Sequence, residues 1–269
     1  MAEDGGLSGG HGVRGPYGAD QVPDHLPQVF SQGVVFHGLT LPLLCNQVVQ
    51  LGCIVGRVGD MHLTKFGHAC VRVEKDGRRL VIDPGGLTEP QALDDVDAIL
   101  VTHEHFDHFS EEALRRAVQD NAALKIWTNT SVARQLDGLG AGVTAVGEGE
   151  VFTAAGFEVK VYGTWHALIH PDIPRVTNIG FLLDDALFHP GDALTVPDAT
   201  VDTLLLPVHG PWSTTGQLID YVRAVAPRQS YAVHDGALNE IGTAMVGGFL
   251  GGIGPRYDHL TAGASVEIS

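Results

Sequence analysis

Cysteine is scarce in this chain: Cys45, Cys53 and Cys70 are the three in 269 residues, and no two form a close C-x-x-C pair. A disulfide framework is therefore not expected, and the sparse thiols suit a reducing cytoplasm. Positive charge is also short. Sixteen Lys and Arg against 32 Asp and Glu leave a formal net charge of −16 at pH 7, which argues against general affinity for nucleic acid or an anionic membrane. Nor is there a clean apolar run of membrane-spanning length, because Pro42, Asn46, Gln47, Gln50 and Arg57 interrupt Leu39 to Val58. That stretch reads as a marginal docking helix rather than a span. The first ten residues are acidic and glycine-rich, with no basic region followed by an apolar one, so no secretory signal is read and a cytoplasmic location is expected.

What is present is a globular composition, 44% hydrophobic and 18% charged with 35 glycines, enough for a large core with many loops. Residues 1–60 stand apart. Glycine recurs from Gly5 to Gly18, prolines follow at Pro16, Pro23 and Pro27, and no period is sustained, so a poorly ordered N-terminal extension is expected, with a functional protein that begins at Met61. From Met61 the texture becomes regular. His62 to Phe66, Cys70 to Val73 and Leu80 to Ile82 read as strands, the last two joined by an Asp76-Gly77 hairpin turn. Helical spacing follows over Glu111 to Asn121, and Thr214 with Gln217 marks a capping box for a helix through Ala224. Strands alternate with helices, so residues 61–269 read as one α/β domain.

The chemistry collects at strand ends. Ala98, Ile99, Leu100 and Val101 form a continuous apolar run followed at once by T-H-E-H-F-D-H, Thr102 to His108. Three imidazoles and two carboxylates within six positions are the pattern of a metal site, since metal ligation is the usual reason to crowd these groups. His166, Asp192, His209 and His234 likewise follow predicted strands. In a layered α/β fold such ends open on one edge and converge. His166 competes with His170 as a ligand and is preferred because it directly follows its strand. His234 is preferred to His209 because it ends a strand after a helix. His68 and His189 receive no role, and His11, His25, His37, His62 and His259 read as incidental.

From Met61 onward the chain resembles the metallo-β-lactamase superfamily, and within it the branch of ascorbate-6-phosphate lactonase. The resemblance rests on G-H-A-C at Gly67, I-D-P-G at Ile82, T-H-E-H-F-D-H, H-P-G-D at His189, L-L-P-V-H-G at Leu205 and A-V-H-D at Ala232, in that order. It implies a four-layer αββα sandwich with two metals at one edge: His103, His105 and His166 on one, Asp107, His108 and His234 on the other, and Asp192 bridging. Asp83 would support the site from behind, and Asp107 and Asp192 would be its catalytic carboxylates. The implied cofactors are two divalent ions, zinc by default with manganese or iron as alternatives. The implied reaction is attack of a metal-bridging hydroxide on a small-molecule lactone, ester or phosphoester. Around that edge His170, Arg175, His209 and Trp212 are candidate substrate contacts, Arg175 for a phosphate or carboxylate. His105 stands where flavodiiron oxidoreductases carry glutamate, which counts against that class. A non-catalytic metal sensor or scaffold is the alternative, and assembly into a homo-oligomer is left open.

Overall fold

The computed structural model describes residues 61–268. The expectations for residues 1–60, including the poorly ordered extension, the docking helix over Leu39 to Val58, and Cys45 and Cys53, lie outside the described residues.

Two seven-stranded sheets pack face to face, and each changes from antiparallel to parallel pairing partway across. The first holds β1 (Met61–Lys65), β2 (Val71–Lys75), β3 (Arg78–Ile82), β4 (Ala98–Val101), β5 (Lys125–Thr128), β6 (Val143–Ala145) and β14 (Ser265–Ile268). Its order is β14-β1-β2-β3-β4-β5-β6, antiparallel as far as β3 and parallel beyond. The second holds β7 (Val151–Ala154), β8 (Phe157–Tyr162), β9 (Gly180–Leu183), β10 (Leu187–His189), β11 (Thr203–Pro207), β12 (Gln229–Val233) and β13 (Arg256–Asp258). Here β7 to β10 pair antiparallel and β10 to β13 parallel.

Side-chain alternation assigns each residue to a layer. Leu80, Ile82, Ala98 and Leu100 face the second sheet and meet Val159, Phe181, Leu205 and Val233 in the central core. Their neighbours Val81, Ile99 and Val101 face outward onto Leu114 of α1 (Glu111–Asp120) and Val132 of α2 (Thr130–Gln135). On the far side Leu204 and Leu206 pack on Leu218 and Val222 of α3 (Thr215–Val225) and on Val246 and Leu250 of α4 (Glu240–Leu250). The architecture is thus the expected αββα sandwich. Strands β4, β9, β10, β11 and β12 are buried along their whole length. Covered on both faces, β4, β9 and β11 read as largely apolar runs in sequence, whereas β12 buries Gln229 and Ser230 and β10 buries His189. Helix α3 carries the predicted capping box at Thr214 and Gln217. Cys70 is fully buried, and burial pushes its thiol pKa upward, so it serves as a small apolar core residue.

Strands β13 and β14 were not read from sequence. The pairing of β14 with β1 joins residues some 200 positions apart, Leu63 opposite Val266. Helix α4 also shows a face that periodicity left unassigned: Ile241, Met245 and Phe249 are exposed at four-residue spacing. Among the described residues no helix is long and apolar enough to cross a membrane.

Candidate metal centre

The parallel strands determine where the site forms. In the β3/β4 register Ile82 lies opposite Leu100, so Asp83 leaves β3 beside the start of the T-H-E-H-F-D-H segment. Asp83 is fully buried in a left-handed conformation, φ 54°. Its carboxylate accepts the Thr102 N–H at 2.7 Å, the Thr102 hydroxyl at 2.7 Å and Nδ1–H of His108 at 2.7 Å. Three donors within one buried carboxylate's reach satisfy it fully. The following turn packs directly on the motif. A Cβ at Gly85 would fall 2.1 Å from the Asp107 carbonyl, and Gly86 N–H donates to the Phe106 carbonyl at 2.6 Å. D-P-G-G is therefore more than a turn, because its third position, Gly85, needs glycine for this close approach.

The second sheet supplies the remaining groups. His166 follows β8, Asp192 follows β10 and His234 follows β12. Asn178 braces the Asp192 loop by accepting the Asp192 N–H and donating to the Pro190 carbonyl, both at 2.9 Å. The buried His189 accepts the Gly191 N–H and faces the Ala69 carbonyl, so it ties this loop to the first sheet. His234 is itself left-handed, φ 57°, a conformation that costs of order 1–3 kcal/mol without glycine. It is held by an N–H bond to the His68 carbonyl and by Nδ1–H on the His209 carbonyl.

These elements bring seven of the sequence-predicted residues together. Nε2 of His166 lies 3.4 Å and Nε2 of His103 3.8 Å from Asp192 Oδ2, and His103 Nε2 is 3.1 Å from His105 Nδ1. Nε2 of His234 is 3.0 Å from Asp192 Oδ2 and 3.4 Å from Asp107 Oδ2, while Nε2 of His108 is 3.1 Å from Asp192 Oδ1. Two groups with metal-holding spacing result, one of His103, His105, His166 and Asp192, the other of His68, Asp107, His108 and His234. His68 was given no role from its sequence position, and the G-H-A-C segment was the available signal.

Hydrogen bonds behind the rings determine their tautomers. His108 donates from Nδ1 to Asp83, His166 to the Ala167 carbonyl at 2.6 Å and His234 to the His209 carbonyl. The Thr102 hydroxyl spends its proton on Asp83, so it accepts from His103 Nδ1 at 2.9 Å. In its neutral form each of these four rings turns an Nε2 lone pair inward. Nε2 of His108, His166 and His234 and Oδ1 of Asp192 are buried with no hydrogen-bond partner. Such orphaned acceptors cost free energy unless something electron-poor sits among them, so the donor set fits divalent metal.

Electrostatics separate the two groups. Burial first, and then the charge of His108, hold His103 well below the ordinary imidazole pKa, and burial and His166 lower His105. Burial would also depress His108 and His234, but carboxylates outweigh it. Asp192 and Asp83 hold His108 well above its usual value, and Asp107 and Asp192 raise His234 to about 9. Burial opposes ionisation of Asp107 and Asp192, yet their histidine partners keep both below the usual carboxylate range.

The predicted substrate contacts separate spatially. Trp212 is buried, with its ring 5.9 Å from that of His166 and 5.8 Å from that of His234. With Phe106, Ile169 and Pro211 it walls a cavity of about 270 Å³ whose floor is the ligand cluster. Arg175 donates from Nε to the His166 carbonyl and lines an adjoining recess. His170 is exposed, pairs with Asp172 and touches neither cavity, and the exposed His209 contributes its carbonyl rather than its ring. Glu104 turns away to Ser131 and Gln135 of α2. His259, read as incidental, binds Asp235 at 2.6 Å together with the buried Lys65.

A four-layer sandwich with an edge cluster of histidines and aspartates defines a class of metallohydrolases, and comparison with known proteins agrees. The beta-lactamase superfamily domain matches residues 62–234, and the chain belongs to that family and has the metallo-β-lactamase fold. It is 38% identical over 180 residues to Protein Rv0786c of Mycobacterium tuberculosis, covering 65% of this chain and 84% of that one. It is 27% identical over 191 residues to a UPF0173 metal-dependent hydrolase of Caldivirga maquilingensis, covering 64% and 81%. Among solved structures, the metallo hydrolase Igni18 of Ignicoccus hospitalis superposes with TM-score 0.62 at 18% identity, covering 78% of this chain and 99% of that one. YhfI of Bacillus subtilis, a metallo-beta-lactamase fold protein, gives 0.60 at 14% identity with 78% and 99% covered. Both structures are like this chain in fold.

Proposed function

We propose that the chain hydrolyses a small, neutral carbonyl compound, an ester or lactone, at a pair of divalent ions. His103, His105 and His166 would hold one ion, Asp107, His108 and His234 the other, and Asp192 would reach both. The observation that carries this reading is the convergence of buried, partnerless Nε2 and carboxylate atoms on one edge. When bound, such ions supply a hydroxide nucleophile near neutral pH and polarise the electrophile. Zinc suits the imidazole-rich set, with manganese and iron as alternatives. Ionised and open to the cavity, Asp107 would be a ligand on the side from which the substrate enters.

The cavity walls favour a carbonyl substrate over a phosphoester. Phe106, Ile169, Pro211 and Trp212 are apolar or aromatic, and among the described residues no Lys or Arg lines this cavity. Arg175, the sequence candidate for a phosphate, is spent in part on the His166 carbonyl. The likeness to the ascorbate-6-phosphate lactonase branch enters here as lactone chemistry rather than as phosphate recognition. The test is a panel run on zinc- and manganese-loaded protein, with p-nitrophenyl butyrate, p-nitrophenyl octanoate and γ-nonalactone against p-nitrophenyl phosphate and bis-p-nitrophenyl phosphate. Turnover of the first three and not the last two is expected, with a loss of at least tenfold in Trp212→Ala. Preference for the phosphoesters would reject the substrate class, and undiminished turnover by metal-free protein would reject the metal mechanism. Tight metal binding with no turnover of any compound would favour a sensor.

A further inference from the structure

One histidine of the cluster is wired the opposite way from the others. His103, His108, His166 and His234 all donate from Nδ1 to an oxygen behind the ring, which frees Nε2 as a lone pair. At His68 the backbone N–H of Gly236 donates to Nδ1 at 2.8 Å. A nitrogen that accepts an N–H bond carries no proton, so in the neutral ring the proton sits on Nε2. Turning the ring over would set a C–H against the Gly236 N–H and forfeit a hydrogen bond. Glycine at 236 permits the contact, because a Cβ there would lie 2.8 Å from His68 Nδ1. The protonated Nε2 is buried, has no hydrogen-bond partner among the described residues and lies 3.2 Å from Asp107 Oδ2, the carboxylate oxygen within its reach. The ring is confined by His234, 4.0 Å away between centroids.

We propose that His68 is a positioning residue and not a fourth ligand of the second group: its Nε2–H holds Asp107 Oδ2 in the orientation that faces His108 and His234. Distance alone groups His68 with the ligands, but the direction of its hydrogen bond removes it from the donor set. The second group then offers Asp107, His108 and His234 plus a shared Asp192. Each group then offers three donors of its own and the shared carboxylate, and the cavity touches residues of both. The proposal builds on the two-metal reading above.

Two measurements test it. In zinc-loaded protein labelled with ¹⁵N-histidine, long-range ¹H–¹⁵N correlations should show His68 unmetallated with its proton on Nε2. The other site rings should show metallated nitrogens, and the His68 signals are assigned by their loss in His68→Gln. In zinc titrations His68→Gln, whose amide can still donate to Asp107, should bind both metals within about threefold of wild type. His68→Leu should keep two sites but weaken the second about 10–100-fold. A metallated His68 nitrogen, or loss of one zinc from His68→Gln, would overturn the proposal. The spectrum reads the His68 tautomer whether wild-type protein holds one metal or two, so failure of the two-metal reading is told apart from failure of this one.

Discussion

Asp83 stands behind both halves of the centre, which makes Asp83→Asn an informative perturbation. The native carboxylate accepts three bonds of 2.7 Å in a fully buried setting. Asparagine keeps one oxygen and replaces the other with a donor. The retained oxygen can still take the Thr102 N–H, but the amide NH₂ then faces the Thr102 hydroxyl and His108 Nδ1. The hydroxyl can rotate to accept. His108 loses its acceptor or switches tautomer, and a switched His108 carries its proton on Nε2 where a lone pair is required. Each lost bond to a charged group is worth about 1.5–3 kcal/mol. With one or two lost, destabilisation of the metal-free fold should be about 2–5 kcal/mol. Losing a partner behind a ligand typically weakens metal binding about 10–100-fold, and the loss should fall mainly on the second site. His103 depends on Asp83 only through Thr102, so Thr102→Val should weaken the first site instead. Competition against a chromophoric chelator resolves the two affinities, and urea unfolding gives the stability. Wild-type affinity at the second site in Asp83→Asn would refute this reasoning.

Metal binding should depend on pH differently at the two sites. His103 and His105 are already neutral, whereas His108 and His234 must release protons, the latter with a pKa of about 9 in the metal-free protein. Calorimetric titration should therefore show a second-site affinity that climbs between pH 6.5 and 9 and a first-site affinity that changes little. The same raised pKa stabilises the metal-free fold fully below about 6.5 and is lost as pH rises through 9. The loss is about 3 kcal/mol, and melting temperatures of metal-free protein should fall across that window. Behind His234, the buried Lys65 and the part-exposed His259 share Asp235. Lys65→Met should destabilise the metal-loaded protein by about 1.5–3 kcal/mol by leaving that carboxylate to His259 alone, with most of the loss recovered in Lys65→Met/Asp235→Leu. Urea denaturation of the single and double variants checks this.

Much of the layered fold was legible because burial writes itself into local sequence. Strands such as β4 and β11 are covered on both faces and appear as unbroken apolar runs, and the cap of α3 is spelled by Thr214 and Gln217. Strand β14 was not legible. Its four residues alternate weakly, and what makes them a strand is β1, far away in sequence. Residues at strand ends could be nominated as a set because the fold sends those ends to one edge. His166 is preferred to His170 for directly following its strand and His234 to His209 for ending a strand after a helix, and the structure places the preferred pair in the cluster. What sequence could not display was direction. Whether a ring nitrogen donates or accepts depends on partners such as Gly236 for His68 and Asp83 for His108, and these partners are long-range contacts. Lys65 and His259 were passed over for the same reason, since Asp235 brings them together only in three dimensions.

The proposed two-metal centre is tested most directly by counting zinc bound per chain, by native mass spectrometry of protein reconstituted at pH 8 and freed of excess metal. Two ions per wild-type chain are expected, falling to at most one when His103→Ala and His105→Ala are combined. A wild-type chain that holds one ion or none, or a double variant that still holds two, would contradict the centre assigned to these residues.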